Sequence, residues 1–571
     1  MSRSSSHTEH LAPVRWTSLV GLGLEAAISA RAMRLSDEGL WRAETWRIQA
    51  SQLRMLLRTA RDTEFGRRHG FSSLLARSDR DIARAYADAV PLRDWYGFQT
   101  EIARMRESGE RNVLWPGLVR DYAQTSGTTA GDKYIPVTDA MKRSNFRAAL
   151  DIFANMKRFG LSIPEVTSGK CLFLGGSTTL VENEHGVRTG DLSGIAATQI
   201  NWPLSEVYSP GRDIALLGDW PTKIERMARE VMDRDVRMVS GMPSWACVLF
   251  ERMLAMARAR GDRARCVRDI WPNLRVFVHG GVKYTPFEPR VRELWSGDPE
   301  GDDIPARLEL YPASEGFVAM QDRAGHAGLR LNTDIGLFFE FVPLKEVDSP
   351  GARACGAAEV ERGQRYVVVL TTCAGLWRYI LGDVVEFDDV PDRMNGHGGT
   401  GPARLRIVGR HRHFINAFGE NIIVEHVENA VVAAARATGM RVGEFTAAPV
   451  YPAEGRRAAL ELVIESDALA RAGVFAREFD LALKSQNVDF TTKRTASLGM
   501  GEPVVTIVPP GSFHNWMRSR GKLGGQHKCP RCANHRDYVE GVVALARGSR
   551  QDQHRVAETV ETVPLADREP V

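Results

Sequence analysis

Several features that would point to export, to a membrane or to nucleic acid are scarce in this sequence. The chain has 7 cysteines in 571 residues, an odd number without the dense spacing of a disulfide framework, which favours reduced thiols. Lys and Arg total 75 against 71 for Asp and Glu, so the net charge of +4 indicates no nucleic-acid partner and no anionic membrane surface. We therefore expect a cytoplasmic protein.

Long apolar runs and repeats are also missing. The most apolar early stretch, residues 19–30, is interrupted by Glu25 and is too short to cross a bilayer. It predicts an amphipathic helix packed on the first domain. From residue 548 onward the chain has no aromatic residue and mixes Gln, Arg, Glu and Pro, which predicts a disordered tail over 548–571.

The remaining composition describes a large globular protein. Hydrophobic residues make up 43% and charged residues 26%, and 571 residues exceed what one hydrophobic core supports, so we expect at least two domains. The first ninety residues have helical periodicity, and helical and strand patterns then alternate, which predicts an α/β sheet with crossover helices. A stretch rich in Asp, Gly and Pro at 388–402 precedes a smaller α+β unit. Predicted strands lie at 236–240, 274–279, 337–344, 366–371, 384–387 and 459–465, and predicted helices of the smaller unit at 424–436 and 469–483.

The first stretch with chemical potential is residues 123–136, AQTSGTTAGDKYIP. Backbone N–H groups, hydroxyl donors and one cation converge there on a small volume, which suits a polyphosphate. The spacing is not that of a Walker loop, so a different nucleotide-binding fold is implied. An ordinary Ser-, Thr- and Gly-rich turn is the other interpretation. The residues expected at the phosphates are Thr125, Ser126, Gly127, Thr128, Thr129 and Lys133.

A second stretch, residues 310–316 (LYPASEG), contains a candidate metal ligand. Glu315 suits Mg²⁺, because that ion takes one or two protein oxygens and fills its other positions with water and phosphate. Ser314 would donate to a phosphate, and Tyr311 offers a flat face to a base. Taken alone, the stretch also fits a turn closed by Ser-Glu-Gly.

A third stretch, residues 377–385 (WRYILGDVV), contains a lone carboxylate after a glycine. Asp383 would accept both hydroxyls of a ribose, by the logic that applies to Asp and Glu in dinucleotide folds. Arg378 and Tyr379 would shape the pocket around it. A Gly-Asp turn between two strands is the alternative.

In this order, the three stretches resemble the nucleotide motifs of the auxin-responsive (Gretchen Hagen) acyl-acid amido synthetases, which belong to the acyl-adenylate-forming superfamily with firefly luciferase. The likeness includes residues 56–71, 90–96 and 526–531 and so extends over most of the chain. It implies a large multi-layer α/β adenylation domain over 1–408 and a small mobile α+β domain over 409–547.

The resemblance also implies roles for single residues. Gly280 and Gly281 would line the adenine side, and Arg410 would lie at the junction of the two domains. Lys528, on a mobile loop of the small domain, would reach the α-phosphate, where a cation stabilises developing negative charge. The competing interpretation of that loop is a metal site, because two histidines and two cysteines stand at ligand-like spacing in residues 527–535; structural zinc sites usually have longer gaps, which favours the lysine.

The implied activity is that of a ligase using ATP and Mg²⁺. A carboxylic acid would attack the α-phosphate, pyrophosphate would leave, and an amino acid or other amine would then displace AMP from the acyl-adenylate; Glu315 and Lys528 are the candidate catalytic residues. Two other functions stay open. An acyl-CoA or carrier-protein-loading ligase would share all three motifs, and a regulatory protein could bind nucleotide without turnover. The expected partners are a small carboxylic acid and an amine, and the expected state is a monomer.

Overall fold

The computed structural model describes a large N-terminal unit and a smaller C-terminal unit, each with its own hydrophobic core. This mixed α/β architecture with two units of unequal size confirms the predicted fold class. The residues described are 16–126, 132–175, 180–281, 284–285, 287–349, 351–411, 414–415, 422–450, 459–487, 490–491, 494, 500–521, 528–533 and 535–547.

The strands of the described residues form four sheets. Their bounds are β1 Asp121–Ser126, β2 Asp132–Val137, β3 Lys170–Phe173, β4 Val181–Glu182, β5 Arg188–Gly190, β6 Tyr208–Ser209, β7 Val236–Gly241, β8 Val276–Gly280, β9 Ala306–Ala313, β10 Gly316–Met320, β11 Leu329–Leu331, β12 Leu337–Pro343, β13 Cys355–Gly356, β14 Arg365–Thr372, β15 Tyr379–Asp389, β16 Arg404–Arg410, β17 Phe414–Ile415, β18 Ile422–Ile423, β19 Phe445–Val450, β20 Ala459–Glu465 and β21 Val504–Val508.

The helices cover these sheets. They are α1 Trp16–Ser36, α2 Glu38–Ala43, α3 Thr45–Ala60, α4 Glu64–Arg68, α5 Phe71–Leu74, α6 Ile82–Ala89, α7 Gln99–Glu107, α8 Asp139–Met156, α9 Ile163–Thr167, α10 Leu192–Ala197, α11 Arg212–Ala215, α12 Trp220–Val231, α13 Pro243–Ala259, α14 Val267–Ile270, α15 Glu288–Ser296, α16 Val424–Thr438, α17 Ala472–Gln486, α18 Ser512–Ser519 and a last helix over 537–547.

The largest sheet has 12 strands in the order β13-β12-β14-β15-β16-β11-β10-β9-β8-β7-β3-β6. At one end of this order, the strands β9-β8-β7-β3-β6 run parallel to one another. The remaining neighbouring pairs are antiparallel. Helices α12 and α13 supply the crossovers between parallel strands, as the alternating patterns predicted. The carboxyl ends of β7, β8 and β9 therefore meet at one edge, where open α/β sheets bind their ligands.

Both faces of the parallel region are buried. Along β8, Val276 and Val278 belong to one hydrophobic cluster, whereas Phe277 belongs to the cluster formed with α12 and α13. Successive side chains of a strand point to opposite faces, so an almost continuous apolar run fits a strand covered on both sides. This packing makes the sheet a rigid base for residues at its strand ends.

The first motif lies on a hairpin. β1 and β2 pair in antiparallel register with Thr125 opposite Lys133, inside a four-stranded sheet ordered β2-β1-β5-β4. At its base the fully buried carboxylate of Asp121 lies 2.7 Å from Arg188 Nη2 and 2.7 Å from Lys142 Nζ. The sequence had suggested a loop over this whole stretch; its two arms are strands.

The smaller unit is built on the sheet β19-β20-β21, with α16 and α17 packed on it. The strand β16 ends at Arg410, two residues beyond the predicted domain boundary at 408. The boundary itself stays a prediction.

At the other end of the described chain, α1 packs on α8 and α9, with Val20, Leu24 and Ile28 buried. No helix in the described ranges is both long enough and apolar enough to pass through a bilayer.

Candidate active site

The two glycines after the apolar run of β8 lie against the second motif. Gly280 is the parallel register partner of Leu310 in β9. A Cβ atom at Gly280 would lie 2.5 Å from the carbonyl oxygen of Leu310, and Gly281 has a φ of +79°. Any larger residue at 280 would push the strands apart, so this close approach requires glycine. It places the Gly280-Gly281 backbone next to Tyr311.

The second and third motifs are joined by a buried hydrogen bond. The Tyr311 hydroxyl donates to Asp383 Oδ2 at 2.5 Å, and the two residues are 4% and 5% exposed. A short bond from a neutral hydroxyl to a carboxylate is among the stronger protein hydrogen bonds. It fixes the orientation of the carboxylate that the sequence predicted for the ribose.

Asp383 lies within a strand and not in a turn. β15 continues through Gly382, whose φ is +90°, and its register with β16 shifts between Val384 and Val385, as in a β-bulge. The turn interpretation of Gly-Asp is therefore wrong, because both sides of the bulge still pair with β16. A bulge re-aims a side chain while the sheet continues.

The junction with the smaller unit borders this carboxylate. The register partner of Asp383 in β16 is Arg410, whose side chain lies outside the described part of the chain. The next residue, His411, is 6% exposed, and its backbone N–H donates to the carbonyl of Gly382 at 2.9 Å. The predicted polar junction near Arg410 thus lies directly beside the bulge.

Ser314 and Glu315 form the turn between β9 and β10, since Ala313 pairs with Gly316. The turn that the sequence allowed is present, and both of its central residues are buried, at 5% and 8% exposure. A buried carboxylate is costly unless it has partners or a cation. The carboxylate of Glu315, on this turn, is the hard oxygen donor that Mg²⁺ takes.

Lys528 reaches the same edge of the sheet from the smaller unit. Its Nζ donates to the carbonyl of Gly281, and it lies 3.1 Å from the Cβ position of that glycine. A second contact joins the units nearby on the surface, where Arg441 Nη2 lies 3.2 Å from Glu293 Oε1. The ammonium group is thus held at the strand end that adjoins Tyr311.

The tip of the first motif lies outside the described residues, and with it Gly127, Thr128 and Thr129. Thr125 and Ser126 end β1, and nothing is described of their side chains. Lys133 is half-buried on β2. Their contact with phosphates stays a prediction.

Two residues expected to shape the pocket have packing roles. Tyr379 is 1% exposed, belongs to the main hydrophobic cluster and has its ring centroid 6.1 Å from that of Phe98. Arg378, at a φ of +50°, donates to both oxygens of Glu340 in β12 and to two carbonyls of the α6 region. The sequence motif does not separate these supporting residues from Asp383.

One polar residue at the strand ends was not recognised from the sequence. His279 precedes Gly280, is 3% exposed, and its Nδ1 has no hydrogen-bond partner among the described residues. Burial, with a smaller contribution from Arg307, lowers the pKa of His279 to about 3, so the ring is neutral. In the sequence, the only indication of His279 was that a polar residue ends the apolar run VFVH.

The two cysteines of the alternative metal site pack in different hydrophobic clusters. Cys532 packs in the cluster formed with α16 and α17, whereas Cys529 packs with Trp516 in another cluster. Burial raises the pKa of the Cys529 thiol to about 12, and thiols of that kind are poor metal ligands. This arrangement opposes a shared metal.

Comparison with known proteins agrees with the order of the motifs. The GH3 family N-terminal domain matches residues 42–210, the GH3 family central domain residues 331–394, and the GH3 family C-terminal domain residues 425–537. The chain belongs to the GH3 family. The resemblance inferred from the motifs is thereby confirmed, and the GH3 matches cover more than half of the sequence.

Individual GH3 relatives are distant. A probable indole-3-acetic acid-amido synthetase, GH3.1 of Arabidopsis thaliana, is 24% identical over 90% of this chain and 92% of that protein. The indole-3-acetic acid-amido synthetase GH3.8 of Oryza sativa subsp. indica is 28% identical over 49% of this chain and 47% of its own length.

Two solved structures have a similar fold. The GH3.15 acyl acid amido synthetase aligns with a TM-score of 0.71 at 16% identity, covering 88% of this chain and 94% of that one. A 2-hydroxyisobutyryl-CoA ligase in the postadenylation state, in complex with 2-HIB-AMP, aligns with a TM-score of 0.53 at 15% identity over 88% and 91% of the two chains. At these identities the comparison concerns the fold.

Proposed function

We propose that this protein is an ATP-dependent acyl-acid amido synthetase. A carboxylate oxygen of the acid attacks the α-phosphorus of ATP and pyrophosphate leaves. The nitrogen of an amino acid or other amine then attacks the acyl carbon, loses a proton and expels AMP. The observation that carries the proposal is the meeting of Lys528, from the smaller unit, with the Gly281 strand end beside the Tyr311–Asp383 pair.

The described residues divide this work between binding and charge stabilisation. Asp383, held by Tyr311, would accept from the ribose hydroxyls. The Gly280-Gly281 backbone, next to Tyr311 at the sheet edge, is proposed to lie beside the base. Lys528 would donate to phosphate oxygens as negative charge develops, in place of the carbonyl it now contacts; a preorganised cation of this kind contributes several kcal/mol, roughly 3–4.

Glu315 is the residue proposed to hold Mg²⁺. It is buried on the turn after β9, and its oxygens are the ligand type that this ion prefers. A bound Mg²⁺ would neutralise phosphate charge. The hydroxyls of Thr125, Ser126, Thr128 and Thr129, with Lys133 and Ser314, are proposed to bind the remaining phosphate oxygens.

An amine acceptor is favoured over a thiol. The Arabidopsis relative GH3.1, of which the alignment covers 92%, is named a probable amido synthetase. The three family domains that match are those of GH3 proteins. The CoA ligase shares the fold at a lower TM-score. We propose 1–408 as the adenylation domain and 409–547 as a domain that moves between the two half-reactions, with its pivot near Arg410.

The first test is acid-dependent release of pyrophosphate from ATP and Mg²⁺, over aryl, indole and fatty acids, with no acceptor, with mixed amino acids, or with CoA. Stimulation by amino acids, together with an amide detected by mass spectrometry, supports the proposal. Stimulation by CoA alone assigns the thioester branch. ATP binding without pyrophosphate release under any condition supports a regulatory protein.

A variant pair sharpens the test. Lys528→Ala is expected to slow pyrophosphate release by about two orders of magnitude, because one preorganised donor to developing charge is lost. Its affinity for ATP should change little. Lys345→Ala removes an exposed lysine of the larger unit and serves as the control. Equal rates for the two variants would exclude Lys528 from the chemistry.

A further inference from the structure

A cavity of about 690 Å³ lies between α1, α2, α3, α8 and the turn that follows β11. Its volume is within the range of pockets that bind small organic ligands, roughly 300–1,000 Å³. None of the residues proposed to bind nucleotide, magnesium or phosphate lines it. It is a feature of the larger unit that the proposed reaction does not use.

Part of the lining of the cavity is apolar. Ile28 of α1, Leu40 of α2, Ile48 of α3 and Leu150 of α8 all contribute to its lining. Four different helices thus supply aliphatic side chains to one space. Such a wall favours the hydrocarbon or aryl part of a ligand, because burying it removes apolar surface from water.

The lining also contains charged residues, and its acidic groups are already paired. Arg31 makes four hydrogen bonds of 2.6–2.8 Å, two to Asp151 and two to Asp334. Glu44 pairs with Arg47 at 2.5 Å. These contacts use all three carboxylates of the lining.

Two arginines of the lining keep donors for another anion. Arg34 Nε lies 3.9 Å from Asp334 Oδ2, which is longer than a hydrogen bond, and Arg147 Nη1 donates at 3.2 Å to the backbone carbonyl of Asp334. Both guanidinium groups therefore approach the same residue. With four arginines against three acidic residues, the lining has a net charge of +1.

We propose that this cavity is a second ligand site, for a small amphipathic carboxylate. The carboxylate would lie between Arg34 and Arg147, and its apolar body would pack on the aliphatic wall. A monoanion matches the net charge of the lining, and a guanidinium pair matches carboxylate geometry. The site does not depend on the proposed ligase activity.

Isothermal titration calorimetry with octanoate and 1-naphthaleneacetate, without ATP, tests the site. We expect a binding component that the double variant Arg34→Gln/Arg147→Gln weakens by about tenfold or more, since both charge-assisted hydrogen-bond donors to the carboxylate are lost. Arg143→Gln, an exposed change on α8 outside the lining, should retain it. Octanamide and inorganic phosphate should bind at least tenfold more weakly, because each lacks one half of the recognition.

A second pair of variants tests whether the space of the cavity is needed, without changing any charged residue. Ala27 lines the cavity, and its neighbour Ala26 is exposed on α1 outside it. Ala27→Trp should abolish the component and Ala26→Trp should keep it. The proposal would be overturned if neither Arg34→Gln/Arg147→Gln nor Ala27→Trp weakened binding of the acids. It would also be overturned if the wild-type protein bound neither acid.

The outcomes are independent of the ligase assay. A component that is sensitive to Arg34 and Arg147 in a protein that releases no pyrophosphate would retain the cavity site and reject the proposed function. Pyrophosphate release by a protein whose acid binding is insensitive to both variant pairs would do the reverse.

Discussion

At the scale of single residues, the hydrogen bond between Tyr311 and Asp383 links two residues that the sequence predicted for different parts of a nucleotide. The sequence predicted its ring as a face for the base. The structure shows in addition that its hydroxyl donates to the carboxylate predicted for the ribose, with both groups buried. Tyr311 is therefore expected to position Asp383 as well as to contact the nucleotide.

Tyr311→Phe is expected to raise the KM for ATP by about tenfold, because it removes one hydrogen bond to a charged group and leaves the ring in place. Asp383→Asn should reduce kcat/KM for ATP by about a hundredfold, since the amide has no charge and one acceptor oxygen where the carboxylate has two. Steady-state pyrophosphate release at varied ATP concentration measures both effects.

The matched control is Tyr96→Phe, an exposed tyrosine of the larger unit. A KM that is unchanged in Tyr311→Phe would mean that Asp383 keeps its orientation without the tyrosine.

The residue-level predictions from the sequence succeeded where the residue types and the order of the motifs along the chain were informative. Three ordered motifs indicated the family that the domain matches confirm. They did not separate Asp383 from Tyr379, four positions earlier, which is a core residue. Asp383 adjoins the β-bulge between Val384 and Val385, and a bulge depends on the partner strand as much as on its own sequence.

At the scale of elements, local periodicity was sufficient for one strand and two helices of the smaller unit, but it did not predict β19 or β21. The strand predicted at 459–465 is β20, and the predicted helix at 424–436 is α16 with two further residues. The order of the 12-stranded sheet was not accessible, because nothing in the sequence of β11 specifies β16 as its neighbour. The hairpin of the first motif was missed because its Ser, Thr and Gly residues are typical of loops.

The buried ion pair between Arg378 and Glu340 joins β12, the start of β15 and the end of α6. Its side chains are 6% and 5% exposed, and Arg378 also donates to the carbonyls of Ala87 and Val90. Burial raises the pKa of Glu340 although the Arg378 charge opposes this. Removing either partner leaves a buried charge or an unsatisfied carbonyl.

Arg378→Met is expected to lower the free energy of unfolding by about 3 kcal/mol, because it leaves Glu340 buried without its partner. The double variant Arg378→Met/Glu340→Met should be less destabilised than the sum of the two single variants. Urea denaturation followed by circular dichroism gives the comparison. A double variant that loses the full sum would show that the pair does not couple.

At the scale of the whole molecule, a charged network joins α2 to the large sheet. Glu38 accepts from Arg158, Arg323 and Arg404, and the buried Asp322 accepts from Arg158 and Arg404. Burial alone would raise the pKa of Glu38, but the hydrogen bond from Arg323 and the charge of Arg404 outweigh it and lower the pKa to about 2. The pKa of Asp322 is also lowered, because the same kind of arginine contacts outweigh burial.

These shifts predict how stability depends on pH. A carboxyl group with a lowered folded-state pKa stabilises the fold above its ordinary value of 4.5, and this contribution is lost as pH falls toward about 2. Glu38→Gln should therefore cost about 2 kcal/mol of unfolding free energy at pH 7 and progressively less below pH of about 4.5. Urea titrations at pH 7, 5, 4 and 3 provide the measurement.

The control for acid stability is Glu184→Gln, whose side chain is 86% exposed. A pH profile of Glu38→Gln that runs parallel to the wild type would contradict the lowered pKa.

The contacts between the two units lead to a prediction about the order of the half-reactions. Lys528 touches Gly281, and Arg441 pairs with Glu293, so the smaller unit covers the edge where the acid would be activated. If the smaller unit must move away before the amine enters, tethering it in place should permit one activation of the acid per enzyme molecule. Repeated amide formation should then be prevented.

The variant Glu293→Cys/Arg441→Cys, joined by a short bismaleimide, provides the tether; six of the seven native cysteines are buried and the other is half-buried. We expect the cross-linked enzyme to release about one pyrophosphate per active site and to form amide at least tenfold more slowly than the same protein before cross-linking. Arg441→Cys treated with the same reagent controls for modification. Unchanged amide formation by the cross-linked enzyme would show that both half-reactions proceed in the arrangement in which Lys528 meets Gly281.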